Sequence, residues 1–593
     1  MSSRQAEVSL QHADRDAPAV GRSVRRQDGE EKVTGQARFL DDLPFRGLLH
    51  AAIHRSIRPH ARVLRVDARA AGAIDGVWDV IAGDRIDHRI GGVIRDHQVL
   101  ATDRVRFVGE PVAVVLAEDA NIARQGADAV AVLYEDLPAA VTVGQALADD
   151  APIVHPRLAD YEILPGYHPE PGSNVYHRYH TEKGDADTAL AGAAHVIEGS
   201  YTFPHIAHVQ LEPHGAVAQW RSPREVTIWC TSQSPYHVRE VVAGMFGLPL
   251  NGVQVVVPYL GGGFGGKSDT TVEPLVAAAA RRVIGRPVKL VLDREEMFAG
   301  SVLGRGCRSR IRTGHDTDGR LLAATIELAF SCGAYGEYGI NVVEGAGHVA
   351  TGPYRVDDLR IDSLAVYTNT PFIGAFRGYG HPEVHWGMER HLDRVAERLE
   401  LDPSALRRAN LLRPGDHHAT GQRVEEDHGD LRGCFDAVAA RLAEADRTPS
   451  APGRTRGVAL SPLMKAPVMA THASSAAMLK LNGDGSVDLA VSGTEMGQGA
   501  WTALAQIAAD ALGMPVERIR TARAIDTSTS PYEWQTVGST TTWKVGQAIL
   551  AAAEDLLQRL RGNAAAALDA PAERIVHDGD TLWDRNDPER RVP

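Results

Sequence analysis

Cysteine is scarce. The 593 residues hold four, Cys230, Cys307, Cys332 and Cys434, separated by 77, 25 and 102 positions. No Cys-x-x-Cys occurs, so the chain has no self-contained zinc or iron–sulfur signature. Buried free thiols in a reducing cytoplasm are the expected state. Basic charge is also in deficit: 63 Lys and Arg stand against 76 Asp and Glu, for a net charge of -13. That removes the basic footprint needed for nucleic acid as the main partner. No apolar run approaches the roughly 18 residues of a membrane span. Met1 to Ala17 is polar and charged, without the apolar core of a secretion signal. The pair Arg25-Arg26 is followed by Gln-Asp-Gly-Glu-Glu-Lys and reads as surface charge. What remains is a globular composition, 44% hydrophobic and 23% charged, long enough for several large cores.

Glycine and its placement carry the information. Residues 1–20 read as a disordered tail. From 21 to 150 short apolar, β-branched strands (Gly47 to Ile53, Val77 to Ile81, Arg106 to Leu116) alternate with helical pattern at Asn121 to Ala129. Residues 151–195 are rich in Pro and Gly and read as a linker or crossing arm. A second α/β region is expected at 196–415, a connecting segment at 416–456 and a third α/β region at 457–593, giving an α+β protein overall. Glycine-rich turns precede helical segments at 261–266, 374–380, 493–499 and 538–542.

The first turn, Gly261-Gly262-Gly263-Phe264-Gly265-Gly266-Lys267-Ser268, follows the β-branched run Val253 to Val257 and precedes a helical pattern from Thr270 to Val283. Glycines permit positive φ and close backbone approach, and a following helix offers free N–H groups, so the loop suits a phosphate, a pterin or an oxo group. It satisfies the P-loop expression, and Val288 to Asp293 resembles a strand ending in a magnesium-binding aspartate, so an NTPase is a rival reading. The same glycines give a weak Gly-x-Gly-x-x-Gly inside a five-glycine run. Four loop–helix starts suit a large cofactor gripped from several sides better than one triphosphate. Gln233 and Gln498 add amides able to donate and accept.

Several of these segments resemble the molybdopterin-binding large subunit of the xanthine dehydrogenase/aldehyde oxidase family. They are the loop around Phe264, Ala375 to Gly380, and Glu495-Met496-Gly497-Gln498-Gly499. So do Arg26 to Asp42, Arg55-Ser56 with Pro59-His60-Ala61, Val108 to Val112, and Leu211-Glu212-Pro213-His214, in order along the chain. The resemblance implies a hammerhead-like α/β domain followed by two molybdopterin-binding α/β domains, the second incomplete. Gln233 is implied to meet an oxo ligand of molybdenum, with Phe264 and Gly265 against the metal site and Gly263 binding the cofactor. Phe376, Arg377 and Gly378 would contact the cofactor, and Phe376 and Tyr379 would line the substrate pocket. Gly497, Gln498 and Gly499 would hold the pterin or its phosphate, and Ser539, Thr540, Thr541, Thr542 and Gln547 the phosphate or nucleotide end. No side chain is expected to ligate the metal directly, and Lys267 becomes a structural or general electrostatic residue, so that Lys267→Ala is expected to leave molybdenum content largely intact. The cofactor is molybdopterin, the cytosine dinucleotide form among the candidates, with [2Fe–2S] clusters and FAD expected on separate subunits. The chemistry implied is hydroxylation with water as oxygen source and a glutamate as general base.

The chain departs from that pattern in three places. The family's catalytic glutamate sits in a Gly-Glu-Pro near the C-terminus. Here the only such motif is Gly109-Glu110-Pro111, where the family has a non-catalytic copy. The base is therefore expected on a separate partner chain, and the chain alone is expected to be inactive. A catalytically inactive cofactor-binding scaffold or a truncated product are the alternatives. Purine-oxidising members carry a Glu at Ser268 and an Arg at Gly345, after Glu344. Losing both handles favours an aldehyde or another N-heterocycle as the small-molecule substrate. The expected assembly is a cytoplasmic heteromer with Fe–S and FAD subunits.

Overall fold

The computed structural model describes residues 18–445, 448, 450–465 and 473–593. Most of the expected tail lies outside them. Its last residues are not free: Ala19 is buried, and the backbone N–H groups of Ala19 and Val20 donate to the Asp510 carboxylate at 2.7 and 2.9 Å.

One eight-stranded sheet runs through all three expected regions. Its order is Ile525–Asp526, Val253–Val257, Glu225–Cys230, Gly215–Ser222, Val288–Val291, Leu49–Arg55, Pro111–Ala117, Val77–Ala82. Leu49 pairs in parallel with Val288, so strands of the N-terminal region continue the sheet of the second. Val257 pairs antiparallel with Ile525, which ties in the third. Pro111–Ala117 reads PVAVVLA and is buried beyond its first residue, as a central strand covered on both faces requires. Helix Glu273–Ala280 packs entirely inside. Its alanines allow close approach to strand Gly215–Ser222, and the Trp220 indole donates to the Ala277 carbonyl at 2.8 Å.

A second, five-stranded sheet has the order His195–Phe203, Gly306–His315, Leu321–Ser331, Asp358–Val366, Val175–Lys183. Strand Val175–Lys183 and helix Ala186–Gly192 lie within the segment expected as a linker. That strand pairs along most of its length with Asp358–Val366, and beyond the buried Val175 and Tyr176 it alternates half-buried and exposed positions. Helix His381–Leu399 packs on the first two strands. The third region sets helices Ala500–Leu512 and Thr541–Leu568 against strands Ala477–Leu481, Val487–Val491 and Ile519–Thr521. Cys230, Cys307 and Cys332 are buried free thiols. Cys434, expected to be buried, is exposed on helix Leu431–Ala443.

Strands Glu225–Cys230 and Val253–Val257 are parallel, so their carboxyl ends open on one edge. The turns leading to Gln233 and to the first glycine loop leave from that edge, where open α/β sheets form crevices. Strand Val487–Val491 sends a third turn there.

Candidate functional site

Gln233 ends the turn after strand Glu225–Cys230, just before helix Pro235–Phe246. It is buried and bonded on every side. Its backbone N–H donates to the Lys267 carbonyl at 2.7 Å, and its side-chain oxygen accepts from Gly265 N–H at 3.0 Å. Its amide nitrogen donates to the Thr536 carbonyl at 3.0 Å, and Thr536 N–H donates back to the Gln233 carbonyl at 3.1 Å. Gly263 lies so close that a methyl there would fall 2.4 Å from Gln233 Oε1 and 3.0 Å from Met496 Sδ. Gly265, at φ +100°, backs onto the Ala375 carbonyl, 2.5 Å from where its Cβ would stand. Thr494 N–H donates to Thr536 Oγ1 at 2.8 Å. Four loops, 261–268, 374–380, 493–499 and 533–542, therefore interlock around one glutamine.

Most site residues expected from the sequence sit on these loops. Phe264 is 45% exposed at φ +57°. Phe376 packs against Gly304 and stands 4.7 Å from the His208 ring, between ring centroids. The Arg377 side chain is exposed, and Gly378 takes φ +103° against Pro382. Tyr379 has φ +52°, with the Arg305 guanidinium 6.0 Å from its ring centroid. Seven described non-glycine residues have positive φ, and Phe264, Tyr379 and Ser539 among them sit on these loops, where such strain concentrates at functional sites. Gln498 is spent within its own loop: it accepts from Met496 N–H and donates to the Thr494 carbonyl, both at 2.7 Å. Gly497 and Gly499, at φ +118° and +85°, flank it, and Gly499 caps helix Ala500–Leu512. Ser539 and Thr540 precede helix Thr541–Leu568, with Thr541 and Thr542 in its first turn. The Lys465 ammonium donates to the Gly538 carbonyl at 2.8 Å and lies 3.2 Å from Ser539 Oγ. Gln547 is exposed on the second turn, where Lys544 and Val545 face inward instead.

The NTPase reading fails on geometry. Lys267 is fully buried, and its ammonium donates to Glu212 Oε2 at 2.8 Å. That same oxygen accepts the Gly261 N–H at 2.7 Å, so neither group faces a phosphate. No helix starts at the loop: Glu273 opens helix Glu273–Ala280 beyond an intervening turn, and its carboxylate is occupied by Thr271 N–H at 2.7 Å. Asp293 caps helix Arg294–Ala299 through Glu296 N–H at 2.8 Å and is no magnesium ligand.

Arg26 is not mere surface charge. Its guanidinium donates twice to Asp28, to Glu495 Oε1 at 3.1 Å and to the Gly497 carbonyl at 3.0 Å. Burial raises the Asp28 carboxyl, but bonds from Arg26 and Lys32 outweigh it and hold the group at about 2, against 3.8 ordinarily. A depressed carboxyl stabilises the fold above its unfolded value and loses that contribution as pH falls toward the folded one. The attachment of residues 19–37 is therefore expected to stay intact above pH 4 and to release between pH 4 and about 2. Amide exchange at Gln27 followed across that range measures it, and an Asp28→Asn variant should show no such transition.

Other partners in the site carry weak sequence signals. Glu212 lies in the Leu-Glu-Pro-His run, but its bond to Lys267 is a contact between distant segments. The His208 ring, driven down to about 4 by burial, stays neutral and donates from Nε2 to the Ala375 carbonyl at 2.8 Å. Arg305 and Glu383, both fully buried and 2.9 Å apart, have no motif at all. Glu110 is buried away from the loops, bonded to Tyr335 and to Arg106 N–H.

Residues 167–411 and 435–592 each match the molybdopterin cofactor-binding domain, and 34–138 match the aldehyde oxidase and xanthine dehydrogenase a/b hammerhead domain. The chain is 34% identical over 417 residues to the nicotinate dehydrogenase large molybdopterin subunit of Eubacterium barkeri, covering 70% of this chain and 94% of that one. It is 30% identical over 565 residues to a probable xanthine dehydrogenase subunit of Bacillus subtilis (strain 168), covering 95% and 73%. The structure of quinoline 2-oxidoreductase from Pseudomonas putida 86 superposes with a TM-score of 0.82 at 28% identity, over 98% of this chain and 75% of that one. The chain belongs to the xanthine dehydrogenase and aldehyde oxidase family, and within it to the molybdopterin-binding large subunits of molybdenum oxidoreductases.

Proposed function

We propose that this subunit oxidises an aldehyde or a non-purine N-heterocycle, with water as oxygen source, and passes electrons to separate Fe–S and flavin subunits in the cytoplasm. The observation that carries this reading is the interlock of four loops on Gln233. The residues present suit a pterin. Thr494 Oγ1 and Ser268 Oγ, on two of the interlocked loops, are buried without partners and can bond a polar ligand, and a methyl at Gly497 would meet nothing within 4 Å, which leaves its backbone open to approach. When bound, the pterin-held molybdenum supplies the two-electron oxidation. Gln233 would orient the reacting centre, because its amide is already fixed by Gly265 and Thr536. Gly263 and Gly265 would let the backbone approach, and Gly497 to Gly499 with Ser539 to Thr542 would hold the distal part of the cofactor. Phe376 and Tyr379 would flank a planar substrate. Where purine oxidisers have two charged handles, this chain offers the Ser268 hydroxyl and Gly345. Neighbouring Glu344 lies 3.0 Å from His177, so a purine finds few partners. Four cysteines without a disulfide suit a reducing compartment. Glu110 is not free to act as the general base.

Gln233→Ala tests this reading. Losing one preorganised donor at a reacting centre lowers kcat by about 10²- to 10³-fold. Aldehyde-dependent dye reduction by the full assembly should fall by that much with the circular dichroism spectrum unchanged. Parent-like turnover of a correctly loaded variant would remove Gln233 from the site, and absence of molybdenum and pterin from the parent would remove the reading itself.

A further inference from the structure

Residues 19–37 form a strap across the third region. Ala19 and Ala37 are buried in the core made by helices Ala500–Leu512 and Thr541–Leu568, with Val24 packed beside them. Polar contacts fix the path between. Gln506 donates to the Ala19 carbonyl at 2.6 Å, Gln27 donates to the Ile519 carbonyl at 2.7 Å, and Arg523 donates to the Gln27 carbonyl at 2.7 Å. Glu31 is bonded to Tyr259, two residues before the first glycine loop.

Arg26 in the strap hydrogen-bonds inside the Glu495–Gly499 turn, and the Lys32 ammonium lies 3.8 Å from Glu495 Oε1. Glu495 is buried, and its Oε1 accepts Gly497 N–H at 2.8 Å and Gly499 N–H at 3.1 Å, which gives the turn its shape. Arg26 donates to that same oxygen and to the Gly497 carbonyl, so it holds the turn by both its anchor and its tip. Asp28 in turn fixes the guanidinium through two bonds at 3.0 Å. A turn with two glycines at positive φ samples many conformations when nothing holds it. Whichever binds first, strap or ligand, orders the turn and leaves less ordering for the other.

We infer that closure of the strap is linked to cofactor occupancy of the Glu495–Gly499 turn, with Arg26 as the positioning residue that couples them. The inference rests on the proposed assignment of that turn to the cofactor site. Linkage is reciprocal, so the loaded protein holds its strap more tightly and a weakened strap lowers loading. Arg22 and Arg25 are exposed on the strap and offer trypsin sites that report its opening.

The test uses the full chain purified from a host that makes the pterin cofactor and from one that does not. In the parent, strap cleavage should be at least about fivefold slower in loaded than in empty protein, the low end of coupling between linked sites. Arg26→Met should be cleaved at the fast rate in both forms and should carry less molybdenum per chain. Arg26→Lys, which keeps a charge for Glu495 but loses the fork to Asp28, should fall between. Asp510→Ala loosens the strap at its far end without touching the turn and should also lower molybdenum content. Equal cleavage of loaded and empty parent, with full molybdenum uptake, overturns the coupling alone. A parent that takes up no molybdenum overturns the site assignment and the coupling with it.

Discussion

Replacing Lys267 by alanine is expected to destabilise the protein by about 3–5 kcal/mol, the usual result of removing one partner from a buried ion pair. The ammonium is wholly buried and Glu212 is 15% exposed, so the remaining carboxylate gains little from water. Burial pulls the Lys267 pKa down and Glu212 partly restores it, so the pair is held by mutual contact in a poor solvent for either ion. Glu212 also accepts the Gly261 N–H, so its movement releases the start of the glycine loop. Molybdenum content should fall with stability. This replaces the expectation, drawn from the sequence, that Lys267→Ala leaves loading intact. Chemical denaturation of the variant measures the loss. Adding Glu212→Leu to Lys267→Met should recover part of it, because two apolar groups leave no buried charge behind. A denaturation midpoint equal to that of the parent would refute the buried pair.

Arg305→Met is expected to have an effect of similar size, about 3–5 kcal/mol, with a sharper functional signature. Arg305 and Glu383 are both 0% exposed, and no solvent compensates Glu383 once the guanidinium is gone. Arg305 also donates to the Gly374 carbonyl at 3.0 Å and faces Tyr379, so it joins helix His381–Leu399 to the loop that would flank the substrate. Folded Arg305→Met should show a raised KM beyond any loss in kcat, because Arg305 supports the loop carrying Phe376 and Tyr379 and does not touch the loops 261–268, 493–499 and 533–542. Arg305→Lys should rescue stability more than KM, since an ammonium keeps the charge but not the forked geometry. Kinetics indistinguishable from the parent in both folded variants would reduce Arg305 to a core residue.

Much of this is legible in the chain. Helix Ala500–Leu512 and strand Val487–Val491 follow from local pattern, because each buries a continuous apolar face. The glycine turns follow from φ: Gly265, Gly378 and Gly497 occupy backbone conformations that side chains rarely adopt. Long-range pairing is not legible. Strand Leu321–Ser331, LLAATIELAFS, carries helix-favouring Ala, Leu and Glu, and only its partners on both sides make it extended. The continuous eight-stranded sheet escapes a local reading because Leu49 and Val288 share no local signal. Arg26 reads as surface charge for the same reason, since nothing near it in sequence announces Glu495. Lys267 shows the converse: a local pattern matches a nucleotide loop, and a buried carboxylate from another segment gives the lysine a different task.

The antiparallel pairing of Val253–Val257 with Ile525–Asp526 also bears on biosynthesis. Gln254 and its partner Asp526 are separated by 272 residues. At roughly 5–20 residues per second, the ribosome needs about 15–55 s to deliver the covering strand after the first has emerged. For that interval a valine-rich ribbon stands open beside the nascent glycine loop, vulnerable to pairing with a neighbouring chain. Yield of this protein should therefore depend on chaperone supply and translation rate more steeply than its finished stability suggests.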